Sequence, residues 1–134
     1  MMDKVVHFEV PADNTARAQK FYNKVFGWNI TKAPTPKGAP EYYMVRTVEV
    51  DKNRMPKERG AINGGLMKRS VPGESPVVVI SVPSISGYVK KIQASGGKII
   101  LQKMPIGEMG FYARFQDTEG NVVGLWENAK KAKR

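Results

Sequence analysis

The period of the apolar positions changes along the chain. Val5-Val6-His7-Phe8-Glu9-Val10 has the two-residue alternation of a strand and stops at Pro11-Ala12-Asp13-Asn14. From there Ala18, Phe21, Tyr22, Val25 and Phe26 recur at helical spacing, with Arg17, Gln19, Lys20, Asn23 and Lys24 on the other face. The spacing predicts a one-sided helix resting on a core, capped by Asp13 or Asn14 and stopped by Gly27. Strands are expected over residues 28–32, 42–50 and 62–68, separated by a Pro/Gly loop at 33–40 and a charged loop at 51–60.

The second half repeats the plan. A strand over 76–82 leads through Pro83-Ser84 into a helix whose Ile85, Tyr88, Val89 and Ile92 share a face and which Gly96-Gly97 ends. Strands are expected over 98–104, 110–116 and 122–127, with Asp117-Thr118-Glu119-Gly120-Asn121 as a turn. Each half is therefore β-α-β-β-β. Val10-Pro11-Ala12 laid over Val82-Pro83-Ser84 gives an offset of 72 positions, and Gly65-Leu66 over Gly124-Leu125 gives 59. The expected architecture is α+β, with tandem βαβββ modules over 3–69 and 75–128 forming a cupped mixed sheet with its helices outside. Residues 1–134 are read as one domain ending in a basic tail at 129–134.

Composition narrows the function classes. With 134 residues the chain has room for one modest core and excludes a large multidomain enzyme. With no cysteine there is no disulfide, thiolate nucleophile or cysteine-bound zinc. Twenty-two basic against twelve acidic side chains leave a net charge of +10, spread over both halves, which favours anionic partners. The basic segment Lys52-Asn53-Arg54-Met55-Pro56-Lys57-Glu58-Arg59 is read as a solvated connector. No helix-turn-helix pattern and no paired zinc ligands accompany the charge, so no specific nucleic-acid partner is expected. No run approaches the length of a membrane span and no signal segment is read, so a cytoplasmic protein without a membrane partner is expected.

The opening His7-Phe8-Glu9-Val10-Pro11-Ala12-Asp13, the pair Phe21-Tyr22, Phe26-Gly27-Trp28 and the closing Phe115-Gln116-Asp117-Thr118-Glu119-Gly120-Asn121 together resemble the vicinal-oxygen-chelate superfamily, of glyoxalase, bleomycin-resistance and dioxygenase type. The resemblance runs from His7 to Glu127. It implies paired βαβββ modules, a cupped sheet around a cavity and, often, a homodimer. In metal-dependent members it implies four ligands from the first and last strands of the modules. His7 matches the first of these. The other three positions, by the two offsets, hold Val79, Gly124 and Gly65, none of which offers an electron pair from its side chain. One imidazole is too few for a divalent ion that needs about three protein ligands. Hence no metal and no cofactor is expected.

Strand alternation then sorts the remaining candidates. His7 and Glu9 point away from Val6, Phe8 and Val10, the apolar set that belongs under the first helix. By the same rule Asn63 and Gly65 share one face, as do Gly124 and Trp126. The resemblance, which makes Phe115 a core position, implies Tyr112 and Arg114 beside them, and Arg46 is a further candidate from the third strand, so that these seven form the ligand-facing set. The expected function is a metal-free small-molecule binding protein of glyoxalase or bleomycin-resistance type. Its ligand is anionic and partly aromatic, held by guanidinium groups and aromatic rings. Two alternatives stand beside it. One is a lyase or isomerase using His7 and Glu9 as catalytic residues; the other is a basic homodimeric protein-interaction module.

Overall fold

The structure, a computed structural model, describes residues 2–130, so most of the expected basic tail lies outside the described residues. The elements follow the expected order: β1 (Val5–Ala12), α1 (Thr15–Phe26), β2 (Asn29–Lys32), β3 (Tyr42–Arg46), β4 (Gly64–Lys68), β5 (Val77–Ser81), α2 (Ile85–Ala94), β6 (Lys98–Ile106), β7 (Gly110–Gln116) and β8 (Val122–Asn128). The α+β class and the two βαβββ modules stand as expected. Among the described residues no helix is long and apolar enough to cross a membrane.

Two compact units divide the chain. One is His7–Pro76; the other joins the residues up to Val6 to those from Val77 onward. The opening of β1 therefore belongs with the second module. There the Ser81 amide donates to the Lys4 carbonyl at 2.9 Å, and the Tyr88 hydroxyl donates to Asp3 Oδ2 at 2.7 Å.

In the first module the strand order is β2-β3-β4-β1, antiparallel except for the parallel pair β1–β4. Ala12, Val45 and Leu66 form its core, with Phe8, Ala18, Tyr22, Trp28, Ile30 and Tyr43 packed against them. Asn14 begins α1, its side chain accepting from the Arg17 amide at 2.9 Å. Gly27 ends the helix at φ 73°, a left-handed conformation that costs glycine least, and its N–H returns to the Asn23 carbonyl. The tyrosine and tryptophan that flank this end stack with ring centroids 4.9 Å apart.

Helical spacing overstates how much of α1 is covered. Ala18 and Tyr22 reach the core, whereas Phe21, Val25 and Phe26 are 55%, 55% and 59% exposed. β3 also ends at Arg46 instead of reaching residue 50. The next two amides, of Thr47 and Val48, donate to Asn63 Oδ1 at 2.8 and 3.2 Å, so a side chain replaces the strand partner there. The charged loop is exposed at every position from 51 to 60 except Pro56, and within it Asp51 and Met55 close a turn and Val50 bridges Pro56.

In the second module the order is β5-β8-β7-β6, again antiparallel except for the parallel pair β5–β8. Val82, Ile85, Ala113 and Leu125 form the core beneath α2, joined by Ile80, Tyr88, Val89, Ile92, Phe111 and Phe115. Ser84 caps α2 through the Gly87 amide at 3.1 Å, and Glu127 Oε1 accepts the Ile85 amide at 2.7 Å. The turn before β8 is held by Asp117, whose Oδ1 accepts the amides of Glu119 and Asn121 at 2.8 and 2.9 Å.

Candidate functional site

On β1, Phe8 turns toward the α1 core, so His7 and Glu9 occupy the helix-free face of the first module. Glu9 is 6% exposed, a carboxylate in the interior. The residue that joins the pair was not nominated from the sequence. Tyr42, the first residue of β3, places its hydroxyl 2.9 Å from His7 Nε2 and donates to Glu9 Oε2 at 3.2 Å. Burial holds the His7 imidazole below its ordinary pKa, and the nearby Glu9 charge offsets this only in part.

Gly65 makes room for this arrangement. A side chain there would overlap the Tyr42 hydroxyl and ring. Tyr42 pairs in register with Met67, so its ring leans diagonally along the strand to cover the glycine two positions away. Arg46 lies on the same face of β3 as Tyr42, exposed to solvent. Asn63 immediately precedes β4, where its Oδ1 accepts from the Thr47 and Val48 amides. Its buried Nδ2 has no hydrogen-bond partner among the described residues.

The second module carries the same device. Tyr112 pairs with Trp126 and Arg114 with Gly124, and a side chain at Gly124 would lie 2.9 Å from the Tyr112 hydroxyl. Arg114 Nε donates to that hydroxyl at 2.7 Å. Trp126 Nε1 donates to Asn128 Oδ1 at 2.7 Å, which fixes the indole at the end of β8.

Strand register corrects the offset read from the sequence. Glu9 pairs with Gly65 and Val79 with Gly124, so Glu9 and Val79 are counterparts, 70 positions apart. The helix caps Asn14 and Ser84, and the tyrosines Tyr42 and Tyr112, repeat the same 70. The earlier value of 72 followed the two Val-Pro pairs, which are not equivalent. The counterpart of His7 is thus Val77, another side chain without a lone pair.

These donors do not fit a divalent ion. His7 Nε2 and Glu9 Oε2 are both turned to one tyrosine hydroxyl, and Gly65 and Gly124 supply nothing. No three His, Asp or Glu side chains converge among the described residues. What the arrangement can do is accept and donate hydrogen bonds around a half-buried imidazole.

Residues 4–47 match the family model described as bleomycin resistance protein-like N-terminal. A putative glyoxylase of Mycobacterium bovis is 26% identical over 128 residues, covering 89% of this chain; the chain spans 43% of that relative's length. A solved hypothetical protein of Bacillus halodurans superposes over 100% of both chains at TM-score 0.69 and 14% identity. A methylmalonyl-CoA epimerase of Streptomyces coelicolor, solved in complex with 2-nitronate-propionyl-CoA, covers 97% of this chain and 100% of its own at TM-score 0.67 and 12% identity. At such low identities these two structures establish the fold. The chain is thus similar over residues 4–47 to the bleomycin resistance protein-like family and over most of its length to a glyoxylase-type relative, and it shares its fold with both structures, as the resemblance to the vicinal-oxygen-chelate superfamily implies.

Proposed function

We propose that the chain is a small-molecule binding protein of glyoxalase and bleomycin-resistance type that works without a resident metal. The observation that carries this is the His7–Tyr42–Glu9 group on the helix-free face of the first module, built over a glycine. A buried polar group of this kind is costly unless it is hydrogen-bonded, and these hydrogen bonds hold the three side chains in one arrangement on that face. His7 Nδ1 has no hydrogen-bond partner among the described residues. Arg46, exposed on the same strand face and without an ion pair among the described residues, supplies a fixed positive charge. An anionic, partly aromatic ligand suits that pairing. In the second module, Arg114, Tyr112 and Trp126 are the groups assigned to ligand contact.

The test is native mass spectrometry of the purified protein, reporting retained small molecules, metal content and oligomer mass together. A panel of aromatic carboxylates is then titrated while the ring signals of His7, the chain's one histidine, are followed. A saturable shift that weakens at least tenfold in Arg46→Ala is expected, with the mass of a homodimer. No saturable change across the panel overturns the proposal.

One observation favours a second reading, proton transfer by His7 in an isomerase or lyase. Burial keeps the imidazole unprotonated at neutral pH, the form a general base requires. Full turnover by His7→Ala on any substrate found removes it.

A further inference from the structure

Two exposed stripes run along α1. Arg17, Lys20 and Lys24 recur at intervals of three and four and so share one side of the helix. About a quarter-turn away lie Phe21 and Val25, each 55% exposed, and Phe26, 59% exposed, joins them at the helix end. The rings of Phe21 and Phe26 meet edge to face with centroids 6.5 Å apart, and Phe26 stacks on Tyr22 at 6.2 Å. The exposed rings therefore rest on an aromatic base that is itself packed against the core.

Charge on this helix is unbalanced. α1 contains no aspartate or glutamate. Arg17, Lys20 and Lys24 are exposed and make no ion pair and no side-chain hydrogen bond among the described residues. Asp13, the acid just before the helix, is taken by Arg69 at 2.9 Å. The face thus presents three unpaired cations beside three apolar side chains.

The area helps to decide what covers it. Phe21, Val25 and Phe26 expose on the order of 300 Å², ordinary for a monomer and well below the roughly 800 Å² that each side of a stable protein interface buries. A second copy related by a two-fold axis would bring the same three cations of its own to the contact. A fluid anionic surface has no minimum area to fill and supplies the missing counter-charge.

We infer that this face of α1 docks on a negatively charged lipid surface, with Arg17, Lys20 and Lys24 at the headgroups and Phe21, Val25 and Phe26 at the acyl boundary. Contact is peripheral, since no helix among the described residues is long and apolar enough to span. The expectation of no membrane partner rested on the lack of a span, a criterion that does not reach surface contact. Because α1 packs on the Phe8 side of the sheet and His7 and Glu9 occupy the other, the inference does not rest on the proposed binding function.

The test sediments the full chain with vesicles of phosphatidylcholine alone and with vesicles that also hold about 30% phosphatidylserine, in about 0.1 M salt. Binding about tenfold tighter or more to the anionic vesicles is expected. Lys20→Gln with Lys24→Gln should weaken it about twentyfold, near fivefold for each charge. Phe21→Gln with Val25→Gln should weaken it about tenfold. Lys52→Gln with Lys57→Gln removes the same charge from the exposed loop at 51–60 and should change binding by less than about twofold. No binding to the anionic vesicles overturns the inference, as does binding at parental strength by the Phe21 and Val25 pair. An equal loss in the two lysine pairs shows attraction by net charge alone and overturns it as well. All six substituted side chains are exposed, and unfolding midpoints check that each variant folds. If the Phe21 and Val25 pair does not fold, the comparison of the two lysine pairs decides.

Discussion

The hydroxyl of Tyr112 stands over Gly124: a Cβ built on that glycine would lie 2.9 Å from it and 3.0 Å from Val79 Cγ2. Tyrosine and glycine are diagonal neighbours on adjacent strands, since Tyr112 is paired with Trp126 and Gly124 with Arg114. The aromatic ring thus substitutes for the side chain that its neighbour lacks. Arg114 donates to the same hydroxyl, so the ring end is pinned from the other side and cannot swing freely. Gly124→Ala should therefore overpack the sheet and cost about 1–3 kcal/mol. Urea unfolding reads the loss, and a variant as stable as the parent shows the packing to be looser than described.

Glycines elsewhere in the second module should respond with opposite signs. At Gly110 a Cβ would meet the Glu127 carbonyl oxygen and the Trp126 ring, and a paired backbone cannot give way. Gly87 lies in the first turn of α2 with nothing closer than Ser84 Oγ at 3.5 Å. Gly110→Ala is expected to destabilise by about 3 kcal/mol, and Gly87→Ala to stabilise by about 0.5–1 kcal/mol through helix propensity. Thermal unfolding of the two variants side by side checks the sign.

Alternation along single strands was legible in the sequence because side-chain period is a backbone property. It put His7 and Glu9 on one face and Phe8 on the other, and it separated Gly124 and Trp126 from Leu125. Tyr42 was not found. Its contact with His7 depends on how β3 is registered against β4, and register is set by partners far away in the chain. A signal was nevertheless present, since Tyr42 repeats as Tyr112 at the offset that the helix caps also obey. The exposure of Phe21 and Phe26 was out of reach for a different reason: helical spacing tells which residues share a face, not how wide a sheet lies beneath it.

Asn63, the residue before β4, holds the two amides that follow β3. Its Oδ1 accepts from the Thr47 and Val48 amides and lies 3.3 Å from Thr47 Oγ1. Asn63→Ala leaves those amides without a protein partner, which should cost about 2 kcal/mol. A ligand contact at this position would show differently, as lost affinity at unchanged stability. Unfolding midpoint and ligand titration measured on the same variant distinguish the two.

The turn before β8 should carry a signature in acid. The Asp117 carboxyl is held below its ordinary pKa first by the Asn121 amide, then by the Asn121 side chain and the Glu119 amide. A depressed carboxylate contributes stability above its unfolded value of 3.8, and that contribution is lost as pH falls through the folded value. Asp117→Asn keeps an acceptor oxygen but no charge, so its stability should fall less steeply below about pH 4 than the parent's. Identical acid limbs for the two proteins would show that the turn does not depend on the charge.

His7 sets the dependence at milder pH. Burial lowers its pKa from the ordinary 6.5, so the folded chain binds a proton less readily than the unfolded chain. Above 6.5 both states are neutral and the full contribution is present. As pH falls below that value the unfolded chain takes up the proton first, and stability declines until the folded ring protonates as well. With a single histidine in the sequence, few other side chains titrate between about pH 7 and 5. His7→Gln should therefore flatten the stability profile across that window while leaving the steeper acid limb in place. Unfolding midpoints at half-unit steps of pH measure the slope. A variant with the parent's slope would mean that the half-buried imidazole is not held neutral by its surroundings.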